Sequence, residues 1–215
     1  MDQSEARAMV ATMARMQESY NREVHADWRN QGFQFYRAIW VECAELLDHF
    51  GWKWWKHQQP DLEQVKLEIV DIWHFGLSDM LRAGTLNDRV GDRLLNVPRQ
   101  LDDGRADERL RKSVEHLAVE TLKAESFMLE PFIAVLETLP MDLEELFRLY
   151  VGKNVLNGFR LANGYKTGTY VKQWDSREDN EHLVELLEAL SIPPDAIPDA
   201  LFAALTERYG ALTGR

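Results

Sequence analysis

The chain has 215 residues, 36 acidic and 25 basic, for a net charge of −11, and 45% of it is hydrophobic. That supplies enough apolar side chain for a packed core in one domain of ordinary size, and it excludes a disordered chain. The acidic balance excludes a surface made to hold nucleic-acid backbones or anionic membrane, both of which need clustered positive charge.

No apolar run reaches the ~20 residues that a bilayer-spanning helix needs. The N-terminal stretch MDQSEARAMVATMARMQESY is charged and does not read as a signal peptide. Cys43 is the single cysteine, so no intrachain disulfide can form, and a cytoplasmic, reducing setting is expected.

Helical periodicity dominates from end to end. Residues 2–24 read as an amphipathic helix, and 33–57 open with FQFYRAIWVECAELLDHF, apolar over most of a helix circumference. Pro60 and Asp61 start the next helix, which runs to Arg82 and stops at Ala83-Gly84. Residues 86–108 are charged, with Pro98 and two glycines, and predict only broken helical turns. Residues 109–139 predict one helix or two, with a break at Pro131. Asp142 and Glu145 resemble a capping box for a helix to Ala162, stopped by Asn163-Gly164. Short helices are expected from Glu178 and from Pro198. The expectation is an all-α bundle, one domain over 1–215 with an irregular or variable stretch at 85–108.

Within AIWVECAELL the polar side chains are Glu42 and Glu45, and within VKLEIVDIWHF an acidic pair recurs as Glu68 and Asp71. Residues three apart on a helix differ by about 60° in direction, so each pair shares a face. If the two helices pack antiparallel, four carboxylates meet in partly apolar surroundings. Two carboxylates ~4 Å apart repel by about 4 kcal/mol at an effective dielectric near 20, so either protons or cations must sit among them. All-oxygen ligands suit Mg2+, with Mn2+ as a substitute, and such ions commonly carry a substrate's phosphates. The alternative is a solvated polar stripe of Glu42, Glu45 and Asp48 on one helix with Asp61, Gln64, Glu68 and Asp71 on the other. A di-iron carboxylate bundle is the rival metal reading, but it needs Glu-x-x-His on two helices, whereas Asp71 and His74 give one D-x-x-H. His74 then reads as a core or supporting residue, and His49 and His57 as surface or packing residues.

Lys153, Asn157 and Arg160 stand at i, i+4 and i+7 on one helical face, and Tyr165, Lys166, Tyr170 and Lys172 follow. Such a concentration of donors in an acidic chain suits phosphate; the alternative is a solvent-facing row. Trp52, Trp54 and Trp55 cluster after the first carboxylate helix. Aromatic faces there suit a nucleobase, a core or a dimer interface.

WVECAELLDHFGWKWWK (40–56), EIVDIWHF (68–75), GKNVLNGFRLANGYKTGTYVKQW (152–174) and EDN (178–180) together closely resemble the dimeric all-α dUTP diphosphatases. These belong to the wider all-α nucleotide pyrophosphatases, which include the MazG-type and dCTP-cleaving enzymes. The resemblance covers roughly the first 80 residues and 150–180. It implies Mg2+ ligands at Glu42, Glu45, Glu68 and Asp71, with Glu42 or Glu45 activating water. It implies phosphate and sugar contacts from Lys153, Asn157, Arg160, Tyr165, Lys172 and Asn180, and a base pocket of Gln17, Asn21 and Trp52. It further implies a homodimer that hydrolyses dUTP, and dUDP as a second substrate, to remove dUTP from the nucleotide pool. The expected partners are thus nucleotide and a second copy, with no nucleic acid and no membrane. The alternatives are the same chemistry on dCTP or several deoxynucleotides, and a helical dimer that binds nucleotide or a partner without turning it over.

Overall fold

A computed structural model describes residues 1–98, 106–190, 192 and 196–213. The chain divides into two compact units, Met1–Phe147 and Arg148–Arg215. The secondary structure among the described residues is helical apart from one minimal hairpin, as an all-α fold requires.

In the first unit, α1 (Gln3–Val24) opens with a full capping box. Asp2 accepts the Glu5 N–H at 2.9 Å, and Glu5 accepts the Asp2 N–H at 2.7 Å. It buries Ala6, Val10, Met13 and Ala14 along one stripe. Helix α2 (Phe35–Phe50) ends at Gly51, whose φ of +95° favours glycine. Asp61 caps α3 (Leu62–Ala83) by accepting the Gln64 N–H. Asp61 also donates its own N–H to the His49 carbonyl at 3.0 Å, which folds α3 back onto α2. Gly84, left-handed at φ +67°, stops α3 as expected. Helix α3 is the centre of this unit: every residue from Val65 to Val70 is buried, and Trp73 stacks on Phe132.

Two expectations need correcting. Residues 86–108 hold more than broken turns, because α4 (Asp88–Leu95) is a two-turn helix there. Asn87 caps it by accepting the Arg89 N–H, and Val90 and Leu94, one turn apart, are buried together. Residues 99–105 of that stretch lie outside the described residues. The break expected at Pro131 falls earlier. Helix α5 (Ala106–Ala124) ends before Glu125, which has φ +49°, and α6 (Leu129–Leu136) carries Pro131 in its first turn. There the ring's missing N–H removes no intrahelical bond.

Helix α7 (Leu143–Ala162) is capped by Asp142, which accepts the Glu145 N–H at 2.9 Å, and runs mostly within the second unit. Gly164 stops it at φ +91°. Strands β1 (Gln173–Trp174) and β2 (Arg177–Glu178) form a hairpin whose two turn residues, Asp175 and Ser176, both have positive φ. Helix α8 (Asp179–Ala189) follows, with a capping box between Glu178 and Glu181, and α9 (Ile197–Thr213) packs against it. An aromatic cluster forms the core here: Tyr170 stacks on Tyr209 at 5.4 Å, and Phe159, Trp174 and Tyr209 meet edge-on or tilted.

Candidate functional site

The fold of α3 onto α2 brings Glu42 level with Glu68 and Asp71. Each offers a carboxylate oxygen, and the three oxygens lie within 4.8 Å of one another. Glu68 is 4% exposed, and the other two are half-buried. Burial, and then the charges of Asp71 and Glu68, push the Glu42 carboxyl up to about 9. Four oxygen-bearing residues are expected together from the sequence, but the structure gathers three. Glu45 is exposed and outside the trio, although near enough to add its charge to the crowding on Glu42. His49 Nε2 stands 3.4 Å from Glu68, and His74 Nδ1 lies 3.9 Å from Asp71 and 2.8 Å from the Val70 carbonyl.

This donor set fits a divalent cation. Hard carboxylate oxygens converge where burial penalises their shared negative charge, and a 2+ ion reverses that penalty. Cys43, next to Glu42, is no rival nucleophile: it is buried, and burial pushes its thiol up to about 12.

On the neighbouring helix, Gln17 and Asn21 are both buried and hydrogen-bonded to each other, and both donate to Ser78 of α3. Trp52 lies half-exposed, its Nε1 donating to Asp48 at 2.8 Å and its ring edge-on to Trp55. Trp54 and Trp55 are exposed at 89% and 57%. In this chain they are therefore not core residues.

In the second unit the cationic face is ordered by the start of α8. Lys153, 2% exposed, donates to Asn180 at 2.9 Å. Arg160 grips Asp179 with two parallel bonds, Nε at 2.8 Å and Nη2 at 2.7 Å, and also donates to Asn157 and Asn180. The Tyr170 hydroxyl donates to the same Asp179 at 2.8 Å. Burial works against charge on Asp179, but the Arg160 bonds outweigh it and hold the carboxyl below the usual range. Lys172 pairs with Glu178 at 3.0 Å, and Tyr165 is exposed. Asn180 is among the residues the sequence marks out, and Asp179 beside it is not. The only signal for Asp179 is its place in the EDN run.

The dUTPase family model matches residues 9–165, about three-quarters of the chain. The chain belongs to the dUTPase family. With membership comes the activity, hydrolysis of dUTP as a diphosphatase, and a general dependence on divalent metal. The bounds of the match enclose residues 85–140, where no motif is legible, and end before Lys172 and Asn180. No curated protein matches the chain.

Proposed function

We propose that this dUTPase is Mg2+-dependent, with Mn2+ as a substitute, and converts dUTP, and dUDP as a second substrate, to dUMP. The observation that carries the metal is the convergence of Glu42, Glu68 and Asp71 within 4.8 Å, with Glu42 pushed up to about 9. These three would hold the cation, with Glu45 beside them. A bound Mg2+ would neutralise phosphate charge and polarise the phosphorus centre.

The remaining roles belong to side chains. Glu45, exposed at the edge of the trio, is suited to position or deprotonate the attacking water, and Glu42 is the other candidate. The family resemblance favours attack at the β-phosphorus. Lys153, Asn157, Arg160, Tyr165, Lys172 and Asn180 bind phosphate and sugar, with the guanidinium offsetting charge that builds on the phosphate of the leaving dUMP. Gln17, Asn21 and Trp52 form the base pocket. The whole chain works as one cytoplasmic pyrophosphatase domain.

The exposed Trp54 and Trp55, with Trp40 and Val41 exposed on α2, support a homodimer, because apolar surface of this kind is costly to leave in water. No described helix is long and apolar enough to cross a membrane.

Glu68→Gln tests the metal reading. It removes a ligand charge from a buried position without changing side-chain size. Turnover of dUTP should fall at least about a hundredfold with the fold retained. Full turnover in that variant, or in the wild-type protein with excess chelator, contradicts the proposal.

A further inference from the structure

Gln17 and Asn21 stand one turn apart on α1 and are 3% and 8% exposed. Gln17 Nε2 donates to Asn21 Oδ1 at 3.0 Å and to Ser78 Oγ at 3.0 Å, and Asn21 Nδ2 donates to the same Oγ at 3.0 Å. Ser78, on α3, is 1% exposed. Its hydroxyl can donate to the carbonyl of His74, one turn back, at 2.9 Å, or to Asn21 Oδ1 at 3.4 Å, and the shorter bond is the stronger of the two.

With its proton spent on that carbonyl, the Ser78 oxygen is an acceptor only. An amide atom at 3.0 Å against its lone pairs must therefore be an NH2 group, as both are here. Flipping the Asn21 amide would set its carbonyl oxygen against the Ser78 lone pairs with no proton between them. The same flip would point NH2 of Asn21 at NH2 of Gln17. One hydroxyl, itself oriented by the backbone of α3, thus fixes the direction of both amides.

The consequence is base choice. Uracil presents a carbonyl acceptor at position 4 beside an N3–H donor, and cytosine presents the reverse. An amide free to rotate satisfies either base; a fixed one satisfies one and meets the other donor to donor and acceptor to acceptor. Asn21 gives one N–H to Ser78 and accepts one bond from Gln17, which leaves an N–H and a carbonyl lone pair for the base. Sites that discriminate by hydrogen-bond pattern do so because the wrong ligand leaves buried groups unpaired.

We infer that Ser78 is a positioning residue that sets uracil over cytosine by locking the Gln17 and Asn21 amides. The inference rests on the reading of those two amides as base contacts.

The test measures kcat/KM for dUTP and dCTP in the wild type, Ser78→Ala, Ser78→Cys and Asn21→Ala, each checked by thermal unfolding. The preference for dUTP should fall about tenfold in both Ser78 variants, because the released amides can turn to suit cytosine. Cysteine is somewhat larger than serine, leaves no cavity and is only a weak acceptor, so Ser78→Cys carries the test if the alanine variant does not fold. A merely structural serine would slow both substrates alike and leave the ratio unchanged, and that result overturns the inference. If Asn21→Ala collapses the ratio and neither Ser78 variant moves it, Ser78 alone loses its role. If Asn21→Ala leaves the ratio unchanged, the base-contact reading fails, and the Ser78 role with it.

Discussion

In the metal-free protein, Glu42→Gln should raise stability while removing activity. Glu42 titrates near 4.5 when unfolded and is pushed up to about 9 when folded, first by burial and then by Asp71 and Glu68. Between those values the folded chain holds a proton that the unfolded chain has released. Folding must take that proton up, so stability falls as pH rises from the lower value to the higher. Each pH unit costs about 1.4 kcal/mol, which gives about 3 kcal/mol at pH 7 and less than about 1 kcal/mol at pH 5. Glutamine has no proton to acquire. In excess chelator at pH 7, Glu42→Gln should therefore unfold roughly 5–10 °C above the wild type, with the gap closing at pH 5. Adding Mg2+ should then reverse the order, because the wild type gains binding energy that the variant has lost. Thermal unfolding followed by circular dichroism, at both pH values and with and without Mg2+, reads all four states. A Glu42→Gln protein no more stable than wild type in chelator at pH 7 would refute the crowding argument, since the ionised carboxylate would then be at ease in the fold.

Arg160→Lys keeps the charge but loses the two-pronged bond to Asp179, and kcat/KM on dUTP should fall at least tenfold, as expected for about 1.5–3 kcal/mol in a hydrogen bond to a charged group. Asp179→Asn should cost a similar factor and add little in the Arg160→Lys background, because the two side chains act as one unit; additive losses would show that they act separately. Trp54→Ser with Trp55→Ser should weaken self-association in sedimentation runs while leaving helical content unchanged, and an unaltered dimer would place the interface elsewhere. Gly76→Ala should destabilise by about 1–3 kcal/mol, because a Cβ there would lie 2.7 Å from the Phe127 ring inside the core; equilibrium denaturation checks it.

The helices that carry the site are legible in the sequence for a physical reason. The apolar runs around Glu42, Glu68 and Asp71 are long, and acidic residues inside them break the pattern on one face. The stops at Gly84 and Gly164 are legible because both positions take the left-handed backbone that glycine favours. Helix α4 is hidden because charge dominates its composition, and only Val90, Gly91 and Leu94 turn inward. The hairpin turn at Asp175-Ser176 is equally obscure, because it uses positive φ without the Asn-Gly or Asp-Gly pair that signals such turns. Spacing on one helix places Glu45 beside Glu42, but which of the two faces α3 depends on how the helices are rotated against each other. Asp179 and Ser78 escape for a related reason. Each matters through partners distant in sequence, Arg160 for one and Gln17 with Asn21 for the other, and no local pattern records those meetings.

Pyrophosphate release tests most directly whether the α2–α3 carboxylates support metal-dependent cleavage of dUTP. Purified protein should be assayed on dUTP with Mg2+ and with excess chelator, beside Glu68→Gln. Pyrophosphate appearing with dUMP in Mg2+, and vanishing both in chelator and in the variant, is the predicted result. Turnover that persists at full rate in chelator, or in Glu68→Gln with Mg2+, would contradict it.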